Sequence, residues 1–368
     1  MRVIFRVDAS VGMGTGHVVR CLALAAAMQQ RGADIHFVCR RITPFLAEQV
    51  AIFGYTLHRT GDTSPGAMVR QTAAIPHAHW LESSWQQDAE DTLAVVRALR
   101  TVDLLVLDHY ALDAAWERRL RAAVTRLLVI DDLADRDHSA DFLLDQNYYR
   151  SPEDRYHGLV PADCQCLLGP AYALLRPDFM AVRHQQLRHR RPTEPVKRVS
   201  VCFGGSDPTG ELPKVLQALM VLPEQLSLSV EVIVGSSSPS LPEVRRQKVD
   251  WPGLEVVVDA PDMAVRLARA DLGIGAAGTM SWERACLGLP SLVAAVAGNQ
   301  VESAEYLDEM NIHKYLGTFE QVDVDGYIKG VSCMLMNAGF RSTLSEQSAR
   351  LVDGEGARRV VEFVFGSF

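Results

Sequence analysis

The apolar positions of this chain fall into short continuous runs, separated by longer stretches in which they recur at helical spacing. Arg2–Val7 (RVIFRV) is the first run and predicts a buried strand. It ends in a glycine-rich turn, after which an amphipathic stretch from about His17 to Gln30 predicts a helix and Ile35–Val38 a second strand. Further strand-like runs stand at 104–107, 127–130, 142–144 and 166–168, with a helical pattern over 85–99. Continuous apolar runs suit strands covered on both faces, and their alternation with helices predicts a mainly parallel sheet. The pattern breaks over 182–197 (VRHQQLRHRRPTEPVK), which is basic, polar and carries Pro192 and Pro195. It reads as a solvated linker, with a phosphate-binding arm as the alternative. The alternation then restarts. Strands are predicted at 199–203, 229–234, 254–258, 272–274 and 291–294, and helices at 212–220, 263–270, 279–287 and 300–310. Helical patterns close the chain from about 341 to 365. The prediction is an α/β protein with an N-terminal Rossmann-like domain over 1–181, a linker over 182–197 and a second Rossmann-like domain over 198–368. The two doubly wound domains would face a cleft, with ligands at the carboxyl ends of the strands.

Length agrees, since 368 residues are comfortable for two α/β cores. The net charge of −8 gives no reason to expect nucleic acid or an anionic membrane as partner. A phosphate ligand would then need a local device, such as free amides at a helix N-terminus. The longest weakly polar stretch, 287–298, is too short to span a membrane and is broken by Pro290. The N-terminus has no cationic segment ahead of a long apolar block, so the expected location is the cytoplasm. The seven cysteines sit mostly inside apolar runs and read as reduced core thiols. No metal site or cofactor is expected, and a monomer is the default.

The chemistry gathers at the strand-to-helix turns. Gly12, Gly14 and Gly16 alternate in the first turn, which lets a ligand approach the backbone before it enters a helix N-terminus. The spacing is not the dinucleotide fingerprint, and no acidic ribose ligand follows the second strand. His17, in the helix's first turn, is a candidate base, because the positive end of a helix disfavours imidazolium. Asp8 on the same loop could orient the ring or hold a sugar hydroxyl. Asp108-His109-Tyr110 ends a predicted strand and could also hold a sugar, while Asp131-Asp132 reads first as turn chemistry. In the second half, Gly204-Gly205-Ser206-Asp207 could bring amides to a phosphate. Small residues over 275–279 leave room for a pyrophosphate near Thr279, and Glu283 one turn later could chelate two ribose hydroxyls. Asn299 stands at another strand-to-helix corner.

Together FRVDASVGMGTGHVVRCLALA, LDHY, LLGPAYALLRPDF, FGGSDPTG and AAGTMSWERACLGLP with AGNQ resemble the UDP-2,4-diacetamido-2,4,6-trideoxy-β-L-altropyranose hydrolases (PseG) of pseudaminic acid biosynthesis. The resemblance runs from the N-terminus to about residue 312, and the last fifty or so residues do not match. The second half also resembles the UDP-binding half of the lipid II-forming N-acetylglucosaminyltransferase, which implies a GT-B fold. The resemblance further implies a metal-independent, inverting UDP-sugar hydrolase that takes UDP-linked diacetamido sugar and releases UDP. His17 would be its base and Tyr110 a sugar or water contact. Glu283 would be the ribose ligand and Asn299 a diphosphate or sugar contact. The competing readings are a GT-B glycosyltransferase with a UDP-sugar donor, a hydrolysing 2-epimerase of a UDP-sugar, and a non-catalytic sugar-nucleotide binding protein.

Overall fold

A computed structural model describes residues 1–10, 12–61, 76–222, 228–249 and 251–368. The chain forms two compact units. Unit 1 holds Met1–Asn147, Ser151–Leu174 and Ala357–Phe368; unit 2 holds Tyr148–Arg150 and Leu175–Gly356.

Unit 1 runs β1 (Arg2–Val7), α1 (Gly16–Gln30), β2 (Asp34–Cys39), α2 (Pro44–Ile52), β3 (Thr56–Arg59), α3 (Trp85–Leu99), β4 (Leu104–Asp108), α4 (Ala114–Leu120), β5 (Arg126–Ile130), β6 (Phe142–Asp145) and β7 (Gln165–Leu168). The strands form one parallel sheet in the order β3-β2-β1-β4-β5-β6-β7. Alternation along β1 and β4 decides what each face meets. Val3, Phe5, Val7, Leu104 and Val106 join the core that also contains Val18, Cys21 and Leu24 of α1. Ile4, Leu105 and Leu107 join the opposite core, with Ala89 and Leu93 of α3 and Trp116 of α4. The same parity sends Arg6 and Asp8 to the α3 face and Asp108 to the α1 face, which settles the chemistry described below.

Unit 2 runs α5 (Pro177–His189), β8 (Arg198–Cys202), α6 (Glu211–Met220), β9 (Ser229–Val234), α7 (Leu241–Val249), β10 (Leu254–Val258), α8 (Met263–Arg269), β11 (Leu272–Ala276), α9 (Met280–Cys286), β12 (Ser291–Ala295), α10 (Val301–Glu309), β13 (Lys314–Thr318), α11 (Val324–Met336) and α12 (Ala338–Leu351). Its parallel sheet has the order β10-β9-β8-β11-β12-β13. The final helix, α13 (Gly356–Phe365), returns to unit 1, where Ala357, Val360, Val361 and Val364 complete the α1-side core.

The expected linker over 182–197 is different in the structure. Pro177 starts α5, which continues to His189, and unit 2 takes in the whole stretch. Two of its arginines are not idle in solvent: Arg183 donates to the carbonyls of Cys286 and, at 2.7 Å, Ala349. Arg190 donates to those of Leu287 and Ala270, each at 2.9 Å. These are helix-terminal carbonyls, which lack partners in their own helices and attract cations. The units divide instead between Leu174 and Leu175, and again before Ala357.

Candidate active site

In unit 1 the strand order reverses between β1 and β4, the place where doubly wound folds bind ligands. Two loops leave the sheet there. The first carries Gly14, whose φ of +79° suits glycine and whose N–H donates to Ser10 O at 2.8 Å. Gly16 begins α1, so His17 is its second residue. The second loop follows Asp108, which pairs with Val7 across β1 and β4.

These two loops bring His17 and Asp108 together. His17 Nδ1 lies 2.6 Å from Asp108 Oδ1. Arg20, one turn along α1, donates its Nε to Asp108 Oδ2 at 2.6 Å and its Nη2 to Oδ1 at 2.7 Å. Burial alone would raise the Asp108 pKa, but Arg20 and then His17 hold the carboxyl well below the usual carboxylate range. A carboxylate on Nδ1 fixes the tautomer in which Nδ1 carries the proton, leaving Nε2 as the acceptor. Arg20 also reaches Asp132 Oδ2 at 2.9 Å, and Tyr110 donates its hydroxyl to Asp132 Oδ1. Burial and then the Asp132 charge push the Tyr110 phenol far above its ordinary pKa, so it stays a neutral donor. The Tyr110 ring meets the His17 ring edge-on at 4.6 Å.

Asp8 takes no part in this arrangement, against the expectation that it orients His17 or binds sugar. It is fully buried on the α3 face of the sheet. Its oxygens accept from Arg6 Nη2 at 3.0 Å, Arg40 N at 2.7 Å and Arg41 N at 3.1 Å. His109 Nε2 lies 3.2 Å away. Arg6 is clamped in turn by Asp88, which also accepts from Trp116 Nε1 at 3.0 Å. Asp8 is thus spent on a buried ionic network, and the partner of His17 is Asp108. The sequence held that signal: Leu104, Val106 and Asp108 share one strand face, and His17 and Arg20 share one helix face. Trp80 and His77 carry no signal in the sequence. Their rings lie 5.8 Å and 5.6 Å from that of Tyr110, and both are half-buried.

Unit 2 repeats the layout, with its reversal between β8 and β11. Gly204 (φ +83°) and Gly205 follow β8. The first amides of α6 are already taken here. α6 begins only at Glu211, and Asp207 already takes its amides, accepting from Glu211 N at 2.9 Å and Leu212 N at 3.2 Å. Gly205 and Ser206 instead lock the turn, their carbonyls accepting from Gly235 N and Ser238 Oγ. Ser206 is buried.

The β11 turn is more open. Gly278 and Thr279 are half-buried and lead directly into α9. A side chain on Gly278 would meet Gln300 Nε2 at 3.2 Å, so the Gln300 amide lies over this turn, next to the half-buried Asn299. Glu283 is 6 % exposed, and what surrounds it is charge, that of Arg176, Asp178 and Arg284. Burial lifts its pKa to about 7, with the Arg176 charge opposing. A nearly buried carboxylate is costly unless a donor meets it, and a ligand can supply one. Arg284, beside it, turns inward and donates to Ala276 O at 2.7 Å. No group of His, Cys, Asp and Glu suited to a metal ion occurs among the described residues. Four of the seven cysteines are buried, while Cys166 and Cys333 are exposed and Cys164 is intermediate.

With this geometry in hand, comparison with known proteins narrows the reading. No protein-family model matches the chain. The Bacillus subtilis spore coat polysaccharide biosynthesis protein SpsG is 24% identical over 363 residues, 98% of this chain and 96% of that protein. The Campylobacter jejuni UDP-2,4-diacetamido-2,4,6-trideoxy-beta-L-altropyranose hydrolase is 24% identical over 310 residues, 83% of this chain and 96% of that one. This chain is a relative of both. That relation supports the resemblance to the PseG hydrolases carried by the motifs. Among solved structures, Acinetobacter baumannii MurG superposes with a TM-score of 0.63 at 14% identity, over all of both chains. The two Rossmann-like domains, of seven and six strands, make a GT-B fold. Among the described residues no helix is long and apolar enough to cross a membrane.

Proposed function

We propose that this chain is a UDP-sugar hydrolase that cleaves the anomeric C–O bond of UDP-2,4-diacetamido-2,4,6-trideoxy-β-L-altropyranose. The observation that carries the reading is the dyad of His17 Nδ1 and Asp108 Oδ1 at 2.6 Å, set beside the Tyr110 hydroxyl. The relation to the Campylobacter hydrolase supplies the substrate class.

In this reading His17 Nε2 takes a proton from water while the water oxygen bonds to the anomeric carbon. The bond from that carbon to the phosphate oxygen breaks, and UDP leaves with the electron pair. Attack from the face opposite the leaving group inverts the configuration. Asp108 holds the imidazole in its basic tautomer and stabilises the imidazolium that forms. Arg20 tempers this by sharing the carboxylate, so Asp108 stays ionised and acts as an anchor rather than as a proton acceptor. The Tyr110 hydroxyl, its proton donated to Asp132, would offer the sugar an acceptor lone pair, and the Trp80 ring an apolar wall. Glu283 would accept from the ribose hydroxyls. The amides of the turn that leads into α9, at Gly278 and Thr279, together with Asn299, would face the diphosphate as its charge grows. No metal is assigned a role, because an imidazole serves as base and protein dipoles meet the leaving group.

The test is UDP release from this sugar nucleotide with no acceptor present. Wild type is expected to release UDP, and His17→Ala and His17→Gln to lose on the order of 10²–10⁴-fold in kcat while still binding UDP. Release that survives in both variants would remove His17 as the base. A GT-B glycosyltransferase is the second reading, which the relation to SpsG, a polysaccharide biosynthesis protein, leaves open along 98% of the chain. It predicts UDP binding with no release until an acceptor is added.

A further inference from the structure

The basic stretch that failed as a linker borders a cavity of about 460 Å³ in unit 2. The cavity sits at the amino ends of the sheet strands. Arg198 opens β8 and Asp271 immediately precedes β11, whereas Gly204 and Gly278 lie beyond the carboxyl ends of those same strands. It is therefore at the opposite end of the sheet from Thr279 and Glu283.

Six cationic side chains line it: Arg190, Arg191, Lys197, Arg198, Arg269 and Arg341. The two acids in the wall are Glu194 and Asp271. Asp271 uses one oxygen to accept the backbone N–H groups of Lys197 and Arg198, both at 2.9 Å. Arg341 is consumed by carbonyls, among them Pro192 O at 2.9 Å and Glu194 O at 2.7 Å. Arg190 spends Nε and Nη1 on carbonyls, and its buried Nη2 has no acceptor. Burial lowers the Arg190 pKa to about 10, which leaves it charged at neutral pH. The side chains of Lys197, Arg198 and Arg269 are exposed. A concave wall with this excess of cations, in a chain of net charge −8, is the reverse of the molecule's average surface. Crowded cations in a hollow repel one another and concentrate a counter-charge.

We propose that this cavity binds a soluble small polyanion carrying two or more phosphoryl groups, separately from the nucleotide-sugar site. The volume suits a small molecule, and the spread of cations around the wall is more than a single phosphate can engage.

The probe is inorganic tripolyphosphate, titrated calorimetrically with saturating uridine present, which carries no phosphate, at two salt concentrations. Wild type is expected to bind it, more weakly at the higher salt. Arg198→Glu with Arg269→Glu is expected to weaken binding by about tenfold or more, and the double alanine variant by less. Both residues are exposed and outside the proposed catalytic machinery, so UDP release should be unchanged, with circular dichroism confirming the fold. Equal affinity in wild type and both variants would overturn the assignment, as would no measurable binding by wild type. Vesicles of phosphatidylcholine with phosphatidylglycerol form the second arm. Capture by vesicles through these two arginines, with tripolyphosphate ignored, would overturn the soluble-ligand reading in favour of a lipid surface.

Discussion

At the residue scale, the candidate site turns on how much work one carboxylate does. Asp108 accepts from His17 and from two nitrogens of Arg20, all inside the core. Asp108→Asn keeps the shape but lets the amide present N–H to Nδ1, which favours the wrong imidazole tautomer. UDP release is expected to fall on the order of 10²–10⁴-fold in kcat, with KM little changed, since the loss falls on the transition state. Glu283 makes a separate prediction. With its pKa at about 7, the free protein carries a mixture of acid and carboxylate near neutrality. Hydroxyl donors favour the carboxylate, so a ribose ligand should bind more tightly as the pH rises through 7 and approach a plateau near pH 8. Below 7 the affinity should drop by nearly tenfold per pH unit. Uridine is the probe, because it has no phosphate titrating in this range. Glu283→Gln should flatten the profile over pH 5.5–8; a wild-type profile already flat would remove Glu283 as the ribose ligand.

At the element scale, glycines in β11 are there for space rather than for turning. A Cβ on Gly275 would stand 2.1 Å from Cys202 O of β8 and 3.0 Å from the Arg284 guanidinium. The clash is with backbone, so Gly275→Ala has no cheap relief and should cost about 3 kcal/mol or more. The measurement is a thermal scan in which the unit 2 transition moves down. Elements were also where the sequence was most readable. The runs at 104–107, 127–130 and 142–144 are strands in the structure, because fully buried parallel strands must be apolar on both faces. β3 and β13 escaped notice, since Thr56–Arg59 and Lys314–Thr318 are short, half-buried edge strands with polar residues. α5 was hidden by its charge: arginines that cap helix ends look like solvated ones in a one-dimensional reading. The site was legible in its turns but not in its pairings. His17, Tyr110 and Glu283 stand out by position after a strand, whereas the choice of Asp108 over Asp8 depends on which face of the sheet each occupies. Trp80 belongs to no regular pattern, and only the fold brings it to Tyr110.

At the scale of the whole molecule, the two units are not two consecutive segments of sequence. Each has its strand reversal at its first strand, β1 or β8, and each places its open loops there. Yet the chain finishes in unit 1 rather than in unit 2, because α13 carries an apolar stripe at 357, 360, 361 and 364. Those residues belong to the same core as Phe5, Val18 and Leu22, the core beneath the His17 helix. Stability of unit 1 therefore depends on a segment far along the sequence from its other segments. Val360→Ala with Val361→Ala removes four buried methyl groups, which should cost about 2–4 kcal/mol. Because the two units are separate cores, unfolding is not a single two-state event, and the loss should appear only in the unit 1 transition of a calorimetric scan. Uridine binding, which in this reading rests on unit 2, should persist at temperatures where UDP release has already been lost. A fall in the unit 2 transition instead would mean that α13 supports the other core, and that the chain does not cross back as described.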